Sequence, residues 1–415
     1  MLKVLSLFSG IGAFEKALER LNIDYELVGF SEIDKYAIRS YCAIHGVDES
    51  LNLGDVSKID TSKLSKDIDL LTHGSPCQDF SMAGKQAGGD KDSGTRSSLM
   101  YETIRIIGDI KPKYIIWENV KNLLSKKHIH NFNNYLKALD DLGYNSYYQV
   151  LNSKDYGIPQ NRERVFTVSI RKDIDPYDLF QPFPFPEKQE LKLRLKDILE
   201  DNVDEKYYLS EKMIKYISAN NEKWTGNNNE ALINKSVAST INTGEGCRRC
   251  DASNYISNDL PDNANLKVIR KYGIFDTEKS IHQAGSVYDN NGLSPTLDTM
   301  QGGYRYKDYS PTLRAARSGL KVEQYFKIRK LTPRECWRLM GFDDEDIDKC
   351  IAIGMSNSQL YKQAGNSIVV NVLGDVMLVF YDIECFSKLW TVTLIIPSDY
   401  KTIQIVNNFD EVKDL

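Results

Sequence analysis

Residues 2–34 constrain this chain most: an apolar run, a glycine turn, a helical repeat, and a second apolar run that ends in acids. Leu2-Lys3-Val4-Leu5-Ser6-Leu7-Phe8 reads as a strand and Ser9-Gly10-Ile11-Gly12 as a turn. From Ala13 to Leu21, apolar residues recur at Phe14, Ala17, Leu18 and Leu21, which is helical spacing. A second strand, Tyr25 to Phe30, leads into Ser31-Glu32-Ile33-Asp34. Strand, glycine turn and helix in succession open a nucleotide-type α/β fold. There the backbone can approach a ligand closely, and the helix N-terminus favours an anion. Glu32 lies twenty residues past Gly12, where an acid can accept hydrogen bonds from ribose hydroxyls. Gly10-x-Gly12 is followed by Ala13-Phe14 and lacks the third glycine of the dinucleotide fingerprint. The pattern therefore favours an adenosine ligand without a pyrophosphate. The competing reading is a plain tight turn with a surface Glu.

The α/β alternation continues. A helix is expected from Lys35 to His45, and Leu53-Gly54-Asp55-Val56 places Asp55 either against an adenine amino group or in an exposed turn. Ile68-Asp69-Leu70-Leu71-Thr72 reads as a buried strand, followed by Gly74-Ser75-Pro76-Cys77-Gln78-Asp79-Phe80-Ser81. Strand ends are where open α/β sheets bind ligands. A thiol there is either a nucleophile or a buried, inert Cys. Met82 to Ser98 is a loop with Gly84, Gly88, Gly89, Gly94, Lys85, Lys91 and Arg96, which suits a lid over phosphates or a solvated linker. A helix from Leu99 to Ile110 and a strand from Lys113 to Trp117 then deliver Glu118-Asn119-Val120 to the same edge. A carboxyl just beyond an apolar run is desolvated, which raises its pKa and lets it give or share a proton near neutrality. Alternatively Glu118 or Asn119 caps the segment Lys121-Asn122-Leu123-Leu124. Past a helix at 131–142 and a strand at 147–151, Gln160, Arg162 and Arg164 share one face of an extended segment, two guanidinium forks suited to carboxylates or phosphates.

Composition shifts beyond the proline-spaced Phe180 to Pro186. Between Glu187 and Gln324, Asn, Ser, Gly and Tyr dominate, and Ser294-Pro295-Thr296-Leu297 is echoed at Ser310-Pro311-Thr312-Leu313. Arg248, Arg249, Arg270, Arg305, Arg314 and Arg317 interleave with Tyr255, Tyr272, Tyr304 and Tyr306, a pattern for base edges and phosphates or for an ordinary loop-rich β domain. Cys247-x-x-Cys250 lacks two further ligands for zinc, so no metal is expected. Order returns at Ile328 to Phe342, where Thr332, Pro333 and Glu335 form a capping box. Gln363-Ala364-Gly365-Asn366-Ser367 is expected to open an apolar helix, Ile368 to Ile383. A net charge of −5 gives no global basic signal, so any nucleic-acid groove is local. Seven scattered cysteines argue for a reducing compartment. No apolar run suffices for a signal core or a membrane span, so a cytoplasmic protein is expected.

In this order, the motifs resemble those of the DNA (cytosine-5) methyltransferases of bacteria and phages. The resemblance covers roughly residues 2–172 and 326–383. It rests on Phe8-Ser9-Gly10-x-Gly12, Pro76-Cys77-Gln78, Glu118-Asn119-Val120, Gln160-x-Arg162-x-Arg164, the Arg329 to Gly341 block and Gly365-Asn366-Ser367. It implies an α/β fold: a Rossmann-like class I AdoMet-dependent methyltransferase sheet with one antiparallel strand and an inserted, mostly β/loop target-recognition domain. The catalytic domain would take residues 1–185 and 326–385, the insert 186–325, and a tail 386–415. S-adenosyl-L-methionine (AdoMet) would sit on Phe8, Gly10, Ile11 and Gly12, with Glu32 at the ribose, Asp55 at the adenine, a backbone contact at Leu99, and Asn366 and Ser367 at the methionine end; Ile33, Val56 and Pro76 would also bind the cofactor. Cys77 would attack cytosine C6, Glu118 would protonate or hydrogen-bond N3, Asn119 would orient the site, Arg164 would touch the base carbonyl, and Arg162 would support Glu118. Gln78, Ser81, Lys85 and Arg96, with Thr296, Leu297, Gly302, Gly303 and Arg305 of the insert, would meet double-stranded DNA. The product would be S-adenosyl-L-homocysteine, the state monomeric, and a cognate restriction endonuclease a possible companion. Inside a duplex C6 is out of reach, so the base must flip out. Ala83 departs from the family where some members carry a small polar residue, and the tail is unexplained. Other readings are a tRNA cytosine-5 methyltransferase, disfavoured by the long insert; a non-catalytic DNA-binding relative, disfavoured by Cys77, Glu118 and the arginines; and an NAD-dependent dehydrogenase, disfavoured by the missing glycine.

Overall fold

The computed structural model describes residues 1–76, 99–177, 183–210, 232–233, 235–241, 243, 254–257, 264–265 and 328–388. Short apolar runs become strands β1 (Leu2–Leu7), β2 (Tyr25–Ser31), β3 (Leu70–His73), β4 (Tyr114–Val120) and β5 (Tyr144–Asn152), followed by β6 (Gln160–Asn161) and β7 (Glu163–Arg171). Six of them form one sheet in the order β2-β1-β3-β4-β7-β5. The first four are mutually parallel, and β7 runs antiparallel to both neighbours, the single reversed strand expected.

Successive side chains on each strand serve opposite faces. Leu70, Tyr114, Ile116, Val168 and Ile170 enter one core cluster, while Leu5, Leu7, Leu71, Ile115, Trp117 and Val165 enter another. Helix α1 (Ala13–Arg20) buries Phe14, Ala17 and Leu18 on the first face. Helices α3 (Met100–Ile110) and α4 (Ile129–Asp141) cover the second with Ile106, Ile107, Phe132, Tyr135 and Leu139. Helix α2 (Lys35–His45) starts at Asp34, whose side chain accepts from the Tyr36 N–H, and stops at Gly46 in the left-handed region.

The chain returns as α5 (Pro333–Arg338), α6 (Asp344–Ala352), α7 (Asn357–Asn366) and α8 (Val370–Lys388), with α8 packed on α1. The Thr332–Glu335 capping box forms as expected. Boundaries differ from expectation at β5, which starts at Tyr144 and not Tyr147, and at three places that bear on the site. Glu118, Asn119 and Val120 lie within β4, not beyond it, because β7 pairs with them residue for residue. The Gly365-Asn366-Ser367 motif closes α7 instead of opening a helix, with Ser367 as its C-cap; α8 begins at Val370. Helix α7 buries only Leu360, Tyr361, Gln363 and Ala364, too mixed a stripe to betray helical period.

The described parts of the insert are short strands and 3-10 turns. Strands β8 (Leu232–Ile233), β10 (Tyr255–Ile256) and β11 (Ala264–Asn265) form a small sheet with β12 (Arg329–Lys330), in the order β11-β8-β10-β12. Strand β9 (Ala238–Ser239) instead pairs in parallel with β6, joining the insert to the Gln160-x-Arg162 segment. Phe183, in the expected linker, is buried and packs on Tyr147, Tyr177 and Phe185.

Candidate active site

The register sets Ser31, Leu7 and His73, the last residues of β2, β1 and β3, side by side, with Trp117 of β4 next in line. The loops leaving β1, β2 and β3, and the last residues of β4 itself, carry the candidate residues. On the β1 side the backbone turns through left-handed conformations at Phe8 (φ 54°), Gly10 (φ 58°) and Gly12 (φ 82°). Phe8 is uncommon there, since its Cβ crowds the backbone in that region. The Gly10 N–H donates to Glu32 Oε2 at 3.0 Å, and Glu32 Oε1 accepts from the Ile33 and Asp34 N–H groups at 2.8 Å each. A carboxylate has about four lone-pair sites, so one remains for a hydroxyl.

Asn52, which no motif in the sequence marks, organises the next loop. Its Oδ1 accepts from the Glu32 and Gly54 N–H groups at 3.1 Å, and its Nδ2 donates to the Glu32 carbonyl at 3.1 Å. The only sequence signal was an Asn two residues before a glycine. Asp55 sits in a turn, where Oδ1 accepts from the Ser57 N–H at 3.0 Å and Oγ at 2.8 Å. The Val56 side chain is buried in the second core cluster, whereas Ile33 is 74% exposed. Leu99 caps α3, Asn366 is exposed and Ser367 is buried.

These residues suit AdoMet. A Cβ built on Gly10 meets nothing within 4 Å, which leaves an open cradle. The Glu32 carboxylate beside it suits ribose hydroxyls, and the bare Ile33 side chain offers an apolar platform for a flat ring.

On the β3–β4 side, Ser75 is clamped by β4. The Trp117 Nε1–H donates to Ser75 Oγ at 3.0 Å, and Asn119 Nδ2 donates to the Ser75 carbonyl at 3.3 Å. Glu118 lies between them in sequence and is 8% exposed. Its Oε1 is 3.1 Å from Arg164 Nε, and its Oε2 is 4.0 Å from where a Gly74 Cβ would be. Burial pushes the Glu118 carboxyl above the ordinary carboxylate range, against the charges of Arg164 and then Arg162. The alternative capping role for Glu118 or Asn119 is not taken up: Val120 holds the cap position of the 121–124 turn, with no side-chain cap.

Gln160 and Arg162 are buried and Arg164 half-buried on the shared face. Arg162 reaches further than expected. It donates to the carbonyls of Ile241 at 2.8 Å, Ser367 at 2.7 Å and Gly365 at 3.3 Å. Its support of Glu118 is through charge. Gln160 Oε1 accepts from the Ile241 N–H at 2.9 Å, so Ile241 is held at both ends of its residue. Cys77, Gln78, Ser81, Lys85, Arg96, Thr296, Leu297, Gly302, Gly303 and Arg305, and the Cys247/Cys250 pair, lie outside the described residues. Among the described residues no cluster of His, Cys, Asp or Glu is arranged for a metal. No helix there is long and apolar enough to cross a membrane.

A parallel sheet with one reversed strand, a glycine cradle at β1 and an acid at the end of β2 defines a Rossmann-like AdoMet-dependent methyltransferase. Solved structures agree on the fold: the Dnmt2 methyltransferase of S. pombe superposes with TM-score 0.60 at 20% identity, covering 92% of this chain and 99% of that one. A Spodoptera frugiperda DNMT2 variant gives 0.63 at 20% identity, over 92% and 100%. The chain belongs to the C-5 cytosine-specific DNA methylase family, whose profile matches residues 2–379. Among curated relatives it is 40% identical to the orphan methyltransferase M.SPRI of Bacillus phage SPR, over 90% of this chain and 95% of that one. It is 31% identical to the type II methyltransferase M.HhaI of Haemophilus parahaemolyticus, over 90% and 92%. The enzyme transfers a methyl group from AdoMet to C5 of cytosine in DNA.

Proposed function

We propose that the reaction runs through Cys77, Glu118, Asn119, Arg162 and Arg164, on a cytosine flipped out of a specific duplex sequence. Cytosine C5 is a poor nucleophile. Addition of the Cys77 thiolate at C6 makes C5 enamine-like, and Glu118 neutralises the charge that develops at N3. AdoMet, when bound, supplies an electrophilic methyl group. Loss of the C5 proton and departure of Cys77 then restore the ring. Arg164 holds Glu118 and faces the base carbonyl, Arg162 biases Glu118 by its charge, and Asn119 fixes the loop that precedes Cys77. The observation that carries this reading is the clamp on Ser75, two residues before Cys77, by the strand that bears the buried Glu118.

The insert, residues 186–325, selects the sequence, and residues 82–98 act as the lid over the extruded base. The enzyme works as a monomer in the cytoplasm. Phage relatives named as orphan methyltransferases and bacterial ones named as type II both support a protective role. That role is exercised alone or beside a cognate restriction endonuclease.

Bisulfite sequencing of plasmid from cells expressing the chain tests the reading. One short motif should be methylated at cytosine with wild type and unmethylated with Cys77→Ala. Unmethylated DNA under wild-type expression would refute it.

A further inference from the structure

His45 stands behind the glycine turn. Its ring is 0% exposed, with Nδ1 2.6 Å from Glu19 Oε1 and Nε2 3.2 Å from the Ile11 carbonyl oxygen. Carboxylate and carbonyl oxygens only accept, so both contacts are met when each ring nitrogen carries a proton. A Cβ on Gly12 would lie 2.0 Å from Nε2, so the ring occupies the space that a side chain there would need. The groups facing the ring come from several elements. Helix α1 gives Glu19 and the buried Glu15, α2 gives Tyr41 at 4.8 Å between centroids, and Tyr25 of β2 donates to Glu19 at 3.3 Å. Burial alone would push the Glu19 carboxyl up, but the hydrogen bond and charge of His45 hold it below the ordinary range. Fixing the Ile11 carbonyl fixes the Ile11–Gly12 peptide plane, whose Gly12 N–H donates to the Ser9 carbonyl at 2.9 Å. Glu32 grips the same turn at the Gly10 N–H.

We propose that His45 is a positioning residue for the cofactor: held by Glu19, it fixes the Ile11 carbonyl from behind and presets the glycine turn for AdoMet without touching it. The proposal rests on the assignment of that turn to AdoMet.

Titration calorimetry of the full-length protein with S-adenosyl-L-homocysteine tests it, alongside DNA affinity and steady-state kinetics. His45→Ala should weaken binding about tenfold or more, the scale of one lost charge-assisted hydrogen bond. KM for AdoMet should rise in step, while kcat at saturation and DNA affinity stay within about twofold. His45→Gln, which keeps one donor, should recover part of the loss and serves if the Ala variant does not fold. Gly12→Ala should cost less in the His45→Ala background than in wild type, since the ring it strikes is gone. Unchanged affinity in both His45 variants, or strictly additive Gly12 and His45 losses, would overturn the proposal. Equal losses in DNA affinity and kcat would also overturn it, as general loosening. A wild-type protein that binds no S-adenosyl-L-homocysteine would remove the turn's assignment itself.

Discussion

Glu118 is pulled in two directions, upward by burial and downward by Arg164 and Arg162. With Arg164→Met, burial acts against Arg162 alone, so the carboxyl should rise further and stay protonated to higher pH. If turnover needs that proton, the alkaline fall of kcat/KM moves to higher pH in the variant even as the rate drops. An unmoved limb would assign it to another group. Glu118→Gln should lower kcat by roughly 10²–10⁴, the usual worth of a positioned acid, with S-adenosyl-L-homocysteine affinity retained. Glu15 is a second buried carboxyl held above its ordinary range by burial. A carboxyl raised on folding stabilises the fold at low pH, and that contribution is lost as pH rises through the folded value. Glu15→Gln should therefore raise Tm, with an advantage that grows as pH rises above the ordinary carboxylate range. A constant or negative difference would contradict this. At this scale the sequence singles out Glu118, Asn119, Arg162 and Arg164 as candidates, because they sit in short local patterns. It did not show Asn52, His45 or the Trp117 indole, whose partners are Glu32, Ile11 and Ser75, twenty to forty-two residues away.

Elements whose signals are local were legible. Strand β1, helix α1 and the Thr332–Glu335 capping box need only nearby residues to declare them. Strand β4 runs three residues past its expected end because β7 pairs with Glu118–Val120, a tertiary cause. The extension places Trp117 and Asn119 on either side of Glu118, both reaching Ser75. Trp117→Phe removes one of the two hydrogen bonds while keeping an aromatic ring. It should lower kcat by about tenfold, the worth of one positional hydrogen bond, and leave cofactor affinity alone. A parallel loss of cofactor affinity would make Trp117 a core residue only. Farther along, Arg329 makes a buried bidentate pair with Glu335 at 2.8 Å. Arg329→Met would leave that carboxylate without its countercharge, and chemical denaturation should show a loss of about 3–5 kcal/mol.

Across the whole molecule, composition predicts a catalytic domain set off from an insert at a proline-rich boundary. The described residues show tighter joining: Phe183 is docked, β9 pairs with β6, and Gln160 and Arg162 together hold Ile241 of the insert. Arg162 also holds the Gly365–Ser367 turn, so one guanidinium touches the insert and the expected cofactor end. Composition marked the change of character but not this joining, since two-residue strands carry no periodic signal. The proposed reaction requires a sulfur at position 77 to bond transiently to cytosine. A duplex carrying 5-fluorocytosine at the methylated position, incubated with AdoMet, should give a denaturation-resistant complex, because fluorine blocks the elimination that releases the enzyme. Mass spectrometry should place the bond at Cys77. A methylating enzyme that leaves no such complex, or one bonded through another residue, would rule out Cys77 as the nucleophile.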